Sequence, residues 1–266
     1  MTDDSRALLP IALQAVAVAR ELITTRLPGV VTAKGDRDMA TEVDYAVERA
    51  VRDHLDRETP AVGFLGEEEG TSRQGRDGLQ WVLDPVDGTV NFLHGMPLCG
   101  VSLGLVRGEV PVLGVIDLPF LGSLYAAAEG HGATLNDEPI KCSGAGALED
   151  AVVAIGDYAV GDGAGEKNRD RLAITGLLAA RAQRVRMFGS AAIDLVWVAE
   201  GKIDACVMLA NKPWDTAAGV VIAREAGALV ADADGTPHTT GSQATIAAAP
   251  GVMDDIMALV GEATRR

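Results

Sequence analysis

Apolar residues recur at helical spacing over residues 7–26, where Leu9, Leu13, Val16 and Ile23 share a stripe with the stem of Arg20, and the pattern stops at Pro28-Gly29. A 3.6-residue period closed by proline and glycine predicts an amphipathic helix. A second helix is predicted over 44–55, with Val47, Val51 and Leu55 on one face. The pattern then changes to short apolar runs at 62–66 and 81–83, followed by strands. Residues 99–106 and 110–117, joined by Arg107-Gly108-Glu109, read as a hairpin, and 124–128 and 133–135 follow around glycine and Asn-Asp turns. The Gly- and Ala-rich piece 142–148 marks a seam, and 161–165 reads as a flexible loop. Beyond the seam, strands and helices alternate over 152–155, 167–182, 184–187, 190–200, 203–208, 216–226 and 245–249, with a last helix after Pro250. Runs of strands followed by alternation predict one domain over 1–266, its α+β part spanning about 1–141 and its α/β part about 142–266.

With 266 residues and 48% apolar content, the chain can bury a sizeable core. Its formal charge of −15 argues against nucleic acid and anionic membrane as partners, because both require a basic footprint. His54, His94, His131 and His238 are scattered, and Cys99, Cys142 and Cys206 have neither zinc nor disulfide spacing. Free thiols suit a reducing compartment. The opening Met1-Thr2-Asp3-Asp4 is no targeting segment, and the longest apolar stretches fall short of a membrane span, so a cytoplasmic protein is expected.

The candidate chemistry sits in Trp81-Val82-Leu83-Asp84-Pro85-Val86-Asp87-Gly88-Thr89-Val90-Asn91-Phe92. An apolar run reads as a buried strand that delivers Asp84 to a sheet edge, and Pro85 stiffens the turn by fixing φ. Asp84, the Val86 carbonyl and Asp87 can converge on hard cations, which prefer oxygen ligands. Gly88 lets the backbone come close to a ligand, and the Gly88 and Thr89 amides would open a short helix. Upstream, the run 62–66 ends in Glu67, Glu68 and Glu69, adjacent charges that need water or a cation between them. Far downstream, Asp215 in Pro213-Trp214-Asp215-Thr216 fits a helix N-cap, a role compatible with metal ligation.

Taken in order, these segments resemble the motifs of the inositol monophosphatase family of metal-dependent, lithium-sensitive phosphatases. The resemblance covers nearly the whole chain. It runs from Lys34-Gly35-Asp36-Arg37-Asp38-Met39-Ala40-Thr41-Glu42-Val43-Asp44 through Gly66-Glu67-Glu68 and residues 84–92 to Arg186-Met187-Phe188-Gly189-Ser190-Ala191-Ala192 and residues 214–227. It implies a layered αβαβα sandwich of the α+β class, a homodimer, and two to three magnesium ions per site. Glu67, Asp84 and the Val86 carbonyl would bind one ion, Asp84, Asp87 and Asp215 a second, and Glu67 a weaker third. Thr89 and Asp44 would orient the attacking water, although Asp44 also reads as an N-cap of the helix beginning at Tyr45. Gly88 and Thr89 would hold phosphate oxygens, and Gly189, Ser190 and Ala191, with Asp87 and Asp215 at the border, would face the alcohol half. Glu68 would support the ligands from behind. The implied reaction is hydrolysis of a small polyol or sugar phosphate, inositol 1-phosphate first, by a metal-activated water.

One position departs from the pattern. Met208 stands where inositol-specific relatives carry a glutamate that contacts ring hydroxyls, and methionine is a weak acceptor. Histidinol phosphate or a nucleotide 3′-phosphate is therefore the alternative substrate, with Asn211 and Lys212 as compensating groups. Two further readings compete. Leu229-Val230-Ala231-Asp232-Ala233-Asp234-Gly235-Thr236 mimics the nucleophile strand of haloacid-dehalogenase phosphatases, yet the chain beyond Thr236 is too short for the domain such a strand begins, so an Asp-Gly hairpin turn is expected. A noncatalytic metal-binding protein would have no use for the water-orienting pair. No P-loop, G-x-S-x-G elbow or dinucleotide fingerprint is present.

Overall fold

The computed structural model describes residues 5–27, 29–33, 39–73, 75 and 78–265. Residues 34–38, part of the N-terminal motif, lie outside them. A 3-10 turn over Ser5–Leu8 leads into α1 (Leu9–Thr25), where Pro10 sits in the first turn and removes a donor that no intrahelical bond would use. Ala12, Ala15, Val16, Ala19 and Ile23 form its buried stripe. A ribbon of β1 (Val31–Ala33) and β2 (Met39–Thr41) precedes α2 (Glu42–Glu58). Buried Val43, Val47, Val51 and Leu55 of α2 join the stripe of α1 in one core.

Continuous helix over Ser5–Thr25, with mean hydropathy 1.5, is long and apolar enough to cross a membrane by length and composition. That corrects the expectation that no stretch reaches a span. Gln14, Arg20 and Glu21 interrupt the apolar run without interrupting the helix, so counting unbroken apolar residues undershoots. Its stripe is buried against α2 and a sheet, while 28% of the apolar window as a whole is buried.

The larger sheet contains β3 (Gly63–Gly66), β4 (Gly70–Arg73), β5 (Leu79–Asp87), β6 (Gly100–Arg107), β7 (Val110–Leu118), β8 (Ser123–Ala128), β9 (Ala133–Leu135) and β10 (Glu138–Pro139). Its order is β10-β9-β8-β7-β6-β5-β3-β4, antiparallel except for the pair β3 and β5. The short helix α3 (Thr89–Leu93) follows β5. The remaining elements are β11 (Val152–Ile155), α4 (Ala164–Arg181), β12 (Arg184–Arg186), α5 (Ala191–Glu200), β13 (Ala205–Leu209), α6 (Pro213–Glu225), β14 (Leu229–Ala231), β15 (Ala244–Ala248) and α7 (Met253–Thr264). They build a second sheet, β12-β11-β13-β15-β14, in which β15 runs antiparallel to both neighbours. Residues 164 and 165 belong to α4, so the loop expected at 161–165 is partly helical.

The layers alternate: α1 and α2, the larger sheet, α5 and α6, the second sheet, then α4 and α7. This is the αβαβα sandwich. The middle helices must touch sheets on both sides, which explains the unbroken buried run Thr216 to Ala223 in α6. Gly114 in β7 brings α6 onto the sheet. A Cβ there would stand 2.3 Å from the Ala218 carbonyl oxygen. On the outer edge, β14 leads into a turn at Asp232–Gly235, where Asp232 accepts the Gln243 and Ala244 amides at 3.0 Å each. The Asp-Gly segment is thus a hairpin turn.

Candidate active site

Parallel pairing of β3 with β5 ends at Gly66 opposite Leu83. The Glu67 amide still donates to the Leu83 carbonyl at 3.1 Å, so Glu67, just past the end of β3, lies beside Asp84 within β5. Buried Glu48 on α2 accepts the Glu68 and Glu69 amides at 2.8 Å each and fixes the acidic loop from behind. Gly66 makes room for it, since a Cβ would lie 2.3 Å from the Glu48 carboxyl carbon. Asp84 is not at a sheet edge, as its run suggested. β5 continues to Asp87 inside the sheet, paired with β6 through an irregularity between Asp84 and Asp87. Pro85 lies in that bulge, where no ladder donor is required.

The bulge aims three groups. Asp84 Oδ1 accepts the Val86 amide at 3.1 Å, and the Val86 carbonyl accepts Thr89 Oγ1 at 3.0 Å. Asp87 reaches the start of α5, taking Ser190 Oγ at 2.7 Å, the Ala191 amide at 3.2 Å and the Ala192 amide. Gly88 turns the chain with φ 84°, and a Cβ on it would stand 2.7 Å from the Leu98 carbonyl oxygen. Asn91 Nδ2 ties α3 to the 188–190 loop by donating to the Leu98 carbonyl at 2.8 Å and the Phe188 carbonyl at 2.7 Å.

Two acids occupy positions other than the N-caps expected of them. Thr41 caps α2, and Asp44 is its third residue, accepting the Thr41 amide at 2.9 Å and the Thr41 hydroxyl. Its other oxygen meets Thr89 Oγ1 at 3.3 Å. Lys212 caps α6, and Asp215, the third residue there, accepts the Lys212 amide at 2.7 Å. Both helices begin upstream of these acids, α2 at Glu42 after its Thr41 cap and α6 at Pro213.

Burial and mutual charge make these carboxyls poor acids. Asp84 titrates well above the usual range, first because it is buried, then through Glu67, Asp87 and Asp215 and a hydrogen bond with Glu67. Burial pushes Asp87 up to about 6 against the pull of Ser190 and the Ala192 and Ala191 amides. Asp215 is raised to about 7 by burial, partly offset by the Lys212 amide, with Asp87 and Glu67 adding to the rise. Asp44 is raised by burial. Four interacting carboxyls cannot all ionise without positive charge among them, and an all-oxygen donor set selects a hard divalent ion. The residues therefore fit such an ion by charge and chemistry. As the side chains are placed, no three histidine, cysteine, aspartate or glutamate residues among those described close around one point. Asp87 and Asp215 are instead turned onto backbone amides.

Residues 4–265 match the model of the Inositol monophosphatase family. The chain belongs to the inositol monophosphatase family. It is 37% identical over 227 residues to Inositol-1-monophosphatase ImpA of Mycolicibacterium smegmatis, covering 85% of this chain and 82% of that protein. It is 33% identical over 237 residues to a Thermotoga maritima protein named Fructose-1,6-bisphosphatase/inositol-1-monophosphatase, covering 89% and 88%. The crystal structure of extragenic suppressor protein suhB from Bartonella henselae superposes with a TM-score of 0.89 at 31% identity, over 96% of this chain and 98% of that one. The chain is accordingly a phosphatase for small phosphorylated substrates, and the family implies a divalent metal.

A cavity of about 300 Å³ opens beside the acids, lined by Asp87, Gly189, Ser190, Ala191, Met208 and Asp215 among others. Its wall also holds Asp157, Tyr158, Arg171, Asp194 and Asn211. Sequence reasoning missed the first four of these, together with Glu48. Asp194 lies one helical turn beyond Ser190, a spacing that could have flagged it. Asp157 and Arg171 carry no local signal, because only the packing of α4 beside β11 brings them in. Asn211 Nδ2 donates to Thr245 Oγ1, which also meets His238 Nε2 at 2.7 Å.

Proposed function

We propose that this family member releases phosphate from a small polyol phosphate, inositol 1-phosphate first, with magnesium and by direct attack of water. The observation that carries the reading is the set of four interacting carboxyls, Glu67, Asp84, Asp87 and Asp215, beside a polar cavity. Glu67, Asp84 and the Val86 carbonyl would hold one ion and Asp84, Asp87 and Asp215 another, with Glu67 at a weaker third. Bound there, magnesium supplies positive charge to the phosphoryl and leaving oxygens.

The chain's own groups handle the water. Thr89 Oγ1 directs its proton toward the Val86 carbonyl or Asp44, which leaves a lone pair to orient the nucleophile. Asp44, only 1% exposed and raised by burial, is a stronger base than a solvated aspartate and takes the proton as oxygen bonds to phosphorus and the ester bond breaks. Gly88 and Thr89 amides hold phosphate oxygens, and Gly189, Ser190 and Ala191 face the alcohol. The proposed subdomains, about 1–141 and 142–266, would contribute Glu67, Asp84 and Asp87 from one and Asp215 from the other.

Cytoplasmic residence fits three unpaired cysteines, two of them buried. A homodimer fits an exposed apolar face formed by Leu27, Met96 and Phe120. Phosphate release from a panel of monoesters, with and without magnesium, tests the reaction. Asp84→Asn should lower magnesium-dependent release at least about 100-fold, and activity within tenfold of wild type would rule out the bridging role. Lithium should inhibit at millimolar levels, and indifference to it would place the chain in a divergent branch.

A further inference from the structure

Met208 in the cavity wall is apolar and 4% exposed, and it supplies neither a donor nor a strong acceptor to an alcohol. Asn211, three residues further along the same wall, is held by a built arrangement. β13 ends at Leu209, and Ala210 after it takes a left-handed backbone with φ 65°. That conformation is strained for alanine, and such strain persists where the surroundings over-determine it, commonly at ligand sites. The Ala210 amide donates to the Gln243 carbonyl at 2.8 Å, which ties the turn to the start of β15. Asn211 is thereby folded back against Thr245, the β15 residue paired with Met208.

Thr245 is fully buried, and its Oγ1 accepts from Asn211 Nδ2. The hydroxyl keeps a proton of its own, and His238 Nε2 lies 2.7 Å away. His238 is 3% exposed, and burial together with the Arg224 charge pushes it down to about 4, so at pH 7 its neutral imidazole can accept that proton. Arg224 Nη2 also donates to the His238 carbonyl at 2.7 Å, which anchors the histidine to α6. The bonds run in one direction, from amide to hydroxyl to imidazole, and hold the Asn211 amide with Nδ2 inward. Its Oδ1 has no hydrogen-bond partner among the described residues and keeps surface open to solvent. Resting on the phosphatase reading above, we infer that Asn211 selects the alcohol half of the substrate by accepting a polyol hydroxyl on Oδ1, and that Thr245 and His238 are positioning residues which hold its amide in that orientation. Without the Thr245 hydroxyl the amide is free to rotate, so binding weakens although no group that touches substrate has been removed.

Selectivity is read as kcat/KM for inositol 1-phosphate divided by that for 4-nitrophenyl phosphate, which carries no hydroxyl, at pH 7 with magnesium. Asn211→Ala should lower this ratio at least about fivefold, mostly through KM for inositol 1-phosphate. Thr245→Val keeps the side-chain volume and removes the hydroxyl; it should lower the ratio severalfold, and the double variant should fall no further than Asn211→Ala alone. Among single deoxy and deoxyfluoro analogues of inositol 1-phosphate, fluorine, which cannot donate, should restore nothing that the missing hydroxyl loses. A ratio unchanged in Asn211→Ala, half-buried in a loop where folding is not at stake, would overturn the inference. Additive losses in the double variant would overturn it too, and so would recovery with fluorine, the mark of an amide that presents its NH2 instead. Should the wild-type protein release phosphate from neither ester yet bind inositol 1-phosphate more tightly than Asn211→Ala does in calorimetry, the phosphatase reading would fall and the role of the amide would stand.

Discussion

At the scale of single residues, the site sets stability against function. Asp84 is 3% exposed and crowded by three other carboxyls, so its ionised form is unfavourable until a cation arrives. Asp84→Asn should therefore raise the thermal midpoint in chelator at pH 8 while it abolishes magnesium-dependent turnover. A gain of about 1 kcal/mol corresponds to roughly 2–4 °C at this chain length. A lower midpoint in differential scanning calorimetry would mean that the crowding is already relieved within the protein. Asp84 and Asp87 stood out in the sequence because they flank a proline just before a Gly-Thr step, whereas the grouping of Glu67 and Asp215 with them came from the family resemblance. Glu48 and Asp194 did not stand out, since each looks like an ordinary polar residue in a helix and acquires its place at the site only from the element packed against it. Asp44 and Asp215 were assigned to the cap rather than to the first turn for a related reason: the cap is set by backbone geometry upstream of the apolar stripe.

At the scale of elements, two contacts hold the layers that carry the site. Arg20 on α1 reaches Asp117 on β7 at 3.0 Å, but only one of the two carboxylate oxygens is satisfied, and burial raises Asp117 to about 6 despite the guanidinium. A carboxyl whose folded pKa lies above its unfolded value favours the fold below the unfolded pKa, near 4, and loses that contribution as pH rises through 6. Denaturant titrations should show wild-type stability falling relative to Asp117→Asn by about 3 kcal/mol between pH 4 and pH 7, two pKa units of linkage. A difference independent of pH would show that Asp117 is paired well enough to ionise freely. On the other face of the sheet, Gly114→Ala would drive a methyl into the Ala218 carbonyl of α6. The expected cost is about 1–3 kcal/mol, with an added rise in the magnesium concentration needed for half-maximal activity, because α6 carries Asp215. Unchanged stability would mean that α6 shifts freely. Strand and helix order was readable from periodicity, whereas β1, β2, β4 and β10 were not. These are strands of two to four residues, set by pairing with neighbours and too short to display a period.

At the scale of the whole molecule, an apolar face lies at the C-terminal end of α3, the short helix whose first residue is Thr89. Phe92 of α3 stacks on Phe120 at 6.5 Å between ring centroids, and around them a groove of about 410 Å³ is lined by Ile23, Leu27, Met96 and Pro97. Leu27 is 87% exposed, Met96 46% and Phe120 44%, on a chain that otherwise carries a formal charge of −15. The proposed homodimer would cover this face with a second copy of itself. Such a contact would brace α3, and through Thr89 at its first residue the water-orienting pair would feel the dimer. Wild-type protein should sediment at twice the chain mass of 27.6 kDa. Met96→Glu would put like charges into the proposed interface and should shift the protein to the monomer, with a severalfold loss of kcat and little change in magnesium affinity. A wild-type monomer would sink the interface. A monomeric Met96→Glu enzyme with full kcat would keep the interface and cut its link to α3.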